Sequence, residues 1–458
     1  MKVVFVNPPV VRFGDSSPEH DSRLDSSLSL KILSFNKYNK IDLLNRAVSH
    51  LVQDSGFRFG VRAGSRWPFT MNVPIGALHY PFIMAYAASY LKSEGFEVNL
   101  IDSVADEEYS YKNFLKNLKK EKADIVVIEC STPTIDIDLW MAKEISKFSE
   151  VALAGPHLVS QAELLKKQNP WIKYFLKGEY IKSSLLMAKS RKSGIYDSEV
   201  VKNLDEIPFA FRDYASSKKY YDSTMPTPKP QLQVYGSKGC PFRCTYCMWP
   251  STMYNRIVAI REPKKIAKEI KLCVKKYGFK SIFFDDDTFN VGGNDRMLEL
   301  CKELKKIGLP WTMMGRLDCS PLETYEKMVD AGCVGMRFGV ESFDPIVLKN
   351  INKALERSDF VKTLEHLSTK YPQVMIHLTM MKDLPGQTEE SHKRDIEILK
   401  KLGYFPGTKF RNFQLSSCVP FPGTELYAQL EKEKGKAALD KFSLYDGSKD
   451  TVMKTFKK

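Results

Sequence analysis

The feature that most constrains the fold is an alternation of short apolar strands with helical segments, repeated in two separate runs. In the first run VVFVNPP (3–9) reads as a buried strand ending in a Pro-Pro turn. IGALHYPFIMAYAASYLKSEG (75–95) reads as an amphipathic helix closed by Gly95, and FEVNLID (96–102) as a strand. A helix near 110–121, a strand over 123–129, a helix near 136–148, a strand over 151–155 and a further helix and strand up to Phe175 follow. A parallel partner can be reached only by a crossover, so this spacing demands βαβ units and an open doubly wound sheet. A long polar insertion, 14–73, interrupts the run around one helix-like stretch, IDLLNRAVSHLV (41–52). Such insertions are functional or disordered more often than not.

The second run has candidate strands at 232–239, 281–287, 311–316, 335–340, 375–381 and 410–417. Helices fit between them near 263–277, 294–307, 321–331, 355–369 and 388–402. Six repeats predict a partial (β/α)6 TIM-like barrel. The expected class is α/β, divided into a Rossmann-like domain over 1–190, a linker over 191–230, the barrel over 231–425 and a short helical tail over 426–458. Both architectures put ligands at the carboxyl ends of strands. In the first run those ends are Asn7–Pro9, Cys130–Thr132 and Gly155–His157, although structural turns use the same residue types.

Composition narrows the class. Hydrophobic residues make up 43% and charged residues 27%, the balance of a soluble globular protein. No apolar run reaches the roughly 20 residues that span a bilayer, and MKVVFVNPPV lacks a small-residue cleavage site. The expected compartment is the cytoplasm. Nine cysteines, six of them scattered, do not suggest a disulfide framework in a chain of this size. The net charge of +14 lies beyond residue 150, largely on Lys-rich helix faces. Solvated surface is the plainer explanation, and an anionic substrate or acidic partner the sharper one. No aromatic-interleaved basic motif points to nucleic acid.

The chemistry is concentrated in GSKGCPFRCTYCMWP (236–250), at the end of the first barrel strand. Cys240, Cys244 and Cys247 have the spacing C-x3-C-x2-C. Soft thiolates select iron–sulfur clusters or zinc. A closed zinc site needs a fourth Cys or His, and no His lies nearby in sequence. Three ligands leave one iron of a cuboidal cluster open.

This loop, with Tyr246 before the third Cys, resembles the signature of the radical S-adenosylmethionine (SAM) superfamily. The resemblance implies a 4Fe-4S cluster whose open iron binds SAM and whose electron cleaves it to a 5′-deoxyadenosyl radical. FFDDDTF (283–289), MGRLDC (314–319), GVESFD (339–344), DLPGQT (383–388) and PFPGTELY (420–427) resemble barrel elements of its cobalamin-binding branch. Asp383 and Gln387 depart from that branch's GLPGET turn. SAM contacts are expected from Tyr246, Arg316, Glu341 and one of Asp285–Asp287, with Asp286 chosen, against helix capping and salt bridging as the structural alternative.

The first half resembles the same branch's cobalamin-binding domain, through VNPP (6–9), the unit 74–102, AGPHLVS (154–160) and KGE (177–179). The resemblance implies cobalamin contacts at Asn7, Pro8, Ser131, Thr132, Gly155 and Pro156. No D-x-H-x-x-G occurs, so cobalt would have no protein His ligand. RAGSRWPF (62–69) resembles an element found near the cobalamin domain in part of the branch, and makes Arg62, Arg66 and Trp67 candidates for covering the active site or binding substrate, or for a structural lid. The implied activity is cobalamin-dependent methyl transfer to an unactivated carbon. Its partners would be a small-molecule or peptide substrate, anionic if the basic surface serves it, and an electron donor such as flavodoxin or ferredoxin. Rivals are a ring-forming, cyclising or rearranging enzyme of the same branch, a methylthiotransferase, and a non-catalytic cobalamin or redox sensor.

Overall fold

The structure, a computed structural model, describes residues 1–9, 11–13, 57–63, 67–71, 77–106, 108, 110–197, 199–353, 357–445 and 451–456. For 11–13, 57–63, 67–71, 77 and 357–359 the description is of the backbone alone.

Two parallel six-stranded sheets organise the chain. The first runs, edge to edge, Gly194–Tyr196, Tyr174–Leu176, Glu150–Ala154, Ile125–Glu129, Lys2–Asn7 and Glu97–Asp102. Ile125–Glu129 is buried along its whole length, as is Lys2–Asn7 beyond its first residue. Strands covered on both faces read as unbroken apolar runs, and these do. From Lys2–Asn7 the chain moves to Glu97–Asp102 on one side, then crosses to Ile125–Glu129 on the other and continues outward. That reversal leaves a crevice at the carboxyl ends, beside Asn7.

Several elements differ from expectation. The helix expected over 75–95 begins only at Phe82, after Pro81, because Ala77–Leu78 pair antiparallel with Tyr221–Asp222. It is not amphipathic: every residue from Phe82 to Ala88 is buried. Phe82 stacks on Tyr235 at 3.6 Å, so the helix is covered by the second half of the chain as well as by its own sheet. Gly194–Tyr196 and Tyr221–Asp222 are strands inside the expected linker. Val11–Phe13, Phe57–Ala63 and Trp67–Met71 form an antiparallel three-stranded sheet within and beside the insertion. The stretch 41–52 lies outside the described residues.

The second sheet runs in chain order, Gln231–Val234, Ser281–Phe284, Trp311–Gly315, Cys333–Glu341, Met375–Lys382 and Arg411–Ser417, all parallel. Its first and last strands are its two edges, so the barrel is partial. Helices Pro263–Tyr277, Asn294–Ile307, Leu322–Asp330, Arg357–Lys370 and Glu389–Lys401 follow successive strands. Glu389–Lys401 starts from a capping box in which Thr388 and Ser391 satisfy each other's backbone N–H groups. The core between sheet and helices is built on Trp311, Phe338, Leu364 and Leu378, all essentially inaccessible.

The tail is not a plain helix. After Glu425–Lys434 it turns back, packing Leu439, Tyr445 and Val452 against Val419 and Tyr427. Phe442 meets His157 edge-on at 4.9 Å, which returns the tail to the carboxyl edge of the first sheet. Among the described residues no helix is long and apolar enough to cross a membrane.

Candidate active site

The carboxyl ends of the barrel strands surround a cavity of about 290 Å³, and Cys240, Cys244 and Cys247 line it. The loop that carries them is fixed at its entry. Asp286 accepts hydrogen bonds from the backbone N–H of Gly236 (3.1 Å), from the N–H of Ser237 and from the Ser237 hydroxyl (2.7 Å). Gly239 has φ +81°, and a Cβ there would lie 2.0 Å from the Ile257 carbonyl oxygen. Only glycine allows that turn. Its N–H donates to Asp287 at 2.8 Å. Further on, the Thr245 N–H donates to the Ile351 carbonyl and the Leu426 N–H to the Thr245 carbonyl, both at 3.0 Å.

Burial, and then neighbouring thiols, push the Cys247 thiol well up. Burial likewise raises Cys240, against hydrogen bonds from Thr288 and the Phe242 backbone. Bare thiolates are therefore costly here, and a bound cation would remove that cost. The cavity walls hold three Cys and no His, and among the described residues no three His, Cys, Asp or Glu side chains converge as on one ion. This donor set fits an open-iron cluster better than closed zinc.

The opposite wall holds Glu341, Lys353, Arg316 and Gly339. Cys333–Glu341 and its neighbour slip register between Gly339 and Glu341, and Glu341 has φ +70°. A bulge at a strand end re-aims a side chain, and strain of this kind gathers at functional sites. Lys353 pairs with Glu341 at 3.3 Å, and a Cβ on Gly339 would lie 2.7 Å from the Glu341 carboxylate. Burial raises the Tyr246 hydroxyl, with the Glu341 carboxylate beside it adding to the shift. Arg316 grips Asp318 through two N–H groups at 2.9 and 2.7 Å, donates to the Lys353 carbonyl at 3.0 Å and stacks over Phe242 at 3.6 Å.

Three of the four expected SAM contacts, Tyr246, Arg316 and Glu341, thus line the cavity. Asp286 does not. Its carboxylate turns to the exit of the first strand, where burial pushes its pKa up to about 6, and Asp287 reaches the cavity instead. Nothing in three consecutive Asp residues distinguishes them before the strands are in register. Lys353 carried no sequence signal, whereas Thr379–Met381 and Ser416–Ser417 could have been found as strand carboxyl ends.

The six residues expected at cobalamin gather at the carboxyl edge of the first sheet and do not line this cavity. Ser131 bonds Thr134 at 2.7 Å, and Thr132 bonds His157 Nδ1 at 3.1 Å. Gly155, at φ +108°, is demanded by the Cys130 carbonyl, 2.5 Å from where a Cβ would be. Pro8 and Pro156 are buried in the turns. Asn7 differs: it is fully buried at the crevice, and its side chain hydrogen-bonds the Asp102 carboxylate, which lowers that carboxyl. Arg62 and Trp67 lie on adjoining antiparallel strands, described as backbone alone, and Arg66 lies outside the described residues.

Residues 234–403, which hold the cysteine loop and the barrel strands from Ser281–Phe284 to Met375–Lys382, match the model of the radical SAM superfamily. That stretch is a radical SAM domain. Its cofactors are accordingly a 4Fe-4S cluster and SAM, and the three cysteines are the group that fits the cluster. An uncharacterized methyltransferase of Pyrococcus horikoshii is 26% identical over 382 residues, covering 77% of this chain and 79% of its own length. An anaerobic magnesium-protoporphyrin IX monomethyl ester cyclase of Rubrivivax gelatinosus is 26% identical over 309 residues, covering 60% of this chain. The chain spans about half of that cyclase, 54%. Among solved structures, the radical SAM methyltransferase TsrM of Kitasatospora setae, with cobalamin and a 4Fe-4S cluster bound, superposes at a TM-score of 0.59. The identity is 15%, over 79% of this chain and 76% of that one, a likeness of fold.

Proposed function

We propose that this radical SAM chain is a cobalamin-dependent methyltransferase acting on an unactivated carbon. The observation that carries the proposal is the pairing of two sites. A three-thiol cavity lies in the barrel, and a second parallel sheet presents a fully buried amide, Asn7, at its topological switch point. A side-chain amide, whose carbonyl accepts and whose NH2 carries a second N–H, suits the amide-rich rim of a corrinoid. Asn7, Pro8, Ser131, Thr132, Gly155 and Pro156 are the residues that would hold it. His157 is engaged with Thr132, and burial takes its pKa down to about 3, so it stays neutral and structural.

Bound together, the cluster and SAM supply a hydrogen-abstracting radical, and cobalamin supplies a methyl group that a carbon radical can accept. The chain's residues bind, orient and exclude water. Glu341 and Arg316 offer charges of opposite sign to the amino and carboxylate groups of SAM. Met248, Trp249, Met314, Met380, Met381 and Phe421 give the remaining wall an apolar surface.

Each cation lining the cavity has a carboxylate partner: Lys353 has Glu341, Arg316 has Asp318, and Arg337 has Asp222. With Arg316 turned to SAM, the other two cations, Lys353 and Arg337, stay paired, which favours an uncharged reacting portion of the substrate over the anionic one that net charge suggests. Reduction calls for a one-electron donor of flavodoxin or ferredoxin type.

The cyclase relative favours a second reading, radical ring formation without methyl transfer. Product mass separates the two. A gain of one CH2 per substrate supports methylation, and loss of hydrogen without that gain sinks it.

A further inference from the structure

Lys238 lies two residues before the first cluster cysteine, on a two-residue strand paired with Ala259–Ile260. Its ammonium group is completely buried and forms an ion pair with Glu179, also completely buried. Glu179 belongs to the first sheet's half of the molecule, in the turn after Tyr174–Leu176. Val201 closes the arrangement from both sides: its N–H donates to Glu179 at 2.7 Å, and its carbonyl accepts from Lys238 at 2.8 Å. Lys238 also stands 4.8 Å from the ring of Tyr254, whose hydroxyl accepts from the indole N–H of Trp249 at 2.8 Å. Trp249 lines the cavity.

Burying an ion pair costs desolvation that a well-packed apolar pair avoids. Stability alone therefore does not account for this pair, whereas its place in the fold does. The N–H of Gly239, next to Lys238, donates to the Asp287 carboxylate at 2.8 Å, and Asp287 lines the cavity together with Cys240 and Cys247. The ammonium, its counter-charge and the thiols thus share one low-dielectric field, in which charges act strongly.

We infer that Glu179 is a positioning residue for the cluster: it neutralises Lys238, holds the Gly239–Cys240 turn from the other half of the molecule, and so helps set the cluster's reduction potential. The inference rests on the cluster reading above. Removing the Glu179 charge leaves an uncompensated cation near the cluster, which favours the reduced form. Removing the Lys238 charge leaves an uncompensated anion, which disfavours it.

The test is an anaerobic, EPR-monitored redox titration of reconstituted wild type, E179Q, K238M and E179Q/K238M, with iron content measured on each. E179Q is expected to shift to a more positive potential, K238M to a more negative one, and the double variant back toward wild type. Unchanged potentials, or shifts of the same sign in both single variants, overturn the inference, because lost packing carries no sign. Should one single variant fail to hold iron, the other decides by the sign of its own shift against the double variant. A wild type that takes up no cluster sinks the cluster reading itself.

Discussion

Gly239→Ala is expected to cost far more than glycine's freedom alone, and to cost it at the cluster. At φ +81° an alanine pays about 1–2 kcal/mol for the left-handed conformation. Its Cβ would also lie 2.0 Å from the Ile257 carbonyl oxygen, 3.0 Å from the Ile257 carbonyl carbon and 3.3 Å from the Val258 Cα. These are backbone atoms, so no side chain can rotate aside. Overpacking of this kind adds about 1–3 kcal/mol, for a total of roughly 2–5 kcal/mol. Domains are typically stable by about 5–15 kcal/mol, so the chain should still fold, with the turn before Cys240 displaced. Gly278→Ala is the control, since Gly278 has φ +74° with nothing within 4 Å of a Cβ. It should cost only the conformational term. Iron and sulfide per chain after anaerobic reconstitution, together with urea midpoints, compare the two variants. G239A should lose most of its iron and more stability than G278A. Full iron in G239A, with a stability loss equal to that of G278A, would refute the reasoning.

Ala at Cys240, Cys244 or Cys247 should abolish both the cluster absorbance and 5′-deoxyadenosine formation; deoxyadenosine from any of the three would show the ligand assignment to be wrong. Glu341→Gln should keep the cluster but lose a charge-assisted hydrogen bond of about 1.5–3 kcal/mol, weakening SAM binding roughly 10- to 100-fold; equilibrium binding at wild-type strength would remove Glu341 from the SAM site. Burial raises the Asp102 carboxyl from 3.8 to about 6 despite its bond to Tyr220. The folded chain thus keeps a proton that the unfolded chain has already released, so this carboxyl stabilises most in acid and its contribution is lost as pH rises through about 6. Asp102→Asn should remove about 3 kcal/mol of that dependence, seen as a flatter plot of urea midpoint against pH; an unchanged slope would count against it.

Much of the second half was legible because its signals are local. Pro263–Tyr277 and Asn294–Ile307 stand where helices fit between the candidate strands, near 263–277 and 294–307. The helix at Phe82 was misjudged at its start, since its apolar residues answer to the strand pair Ala77–Leu78 with Tyr221–Asp222 and to Tyr235, far along the chain. Likewise Asp287 rather than Asp286 faces the cavity because Gly236 and Ser237 claim Asp286.

By itself the sequence determined the strand–helix rhythm, the three cysteines on one loop and the radical SAM domain they mark, because each depends on spacing within a few residues. Only the tertiary structure decided which carboxylates meet the cavity, that Lys353 answers Glu341, that Glu179 reaches across to Lys238, and that Phe442 returns to His157. Those are pairings between distant residues. They are chosen by burial, register and charge balance once the two sheets are assembled, and no local pattern records them.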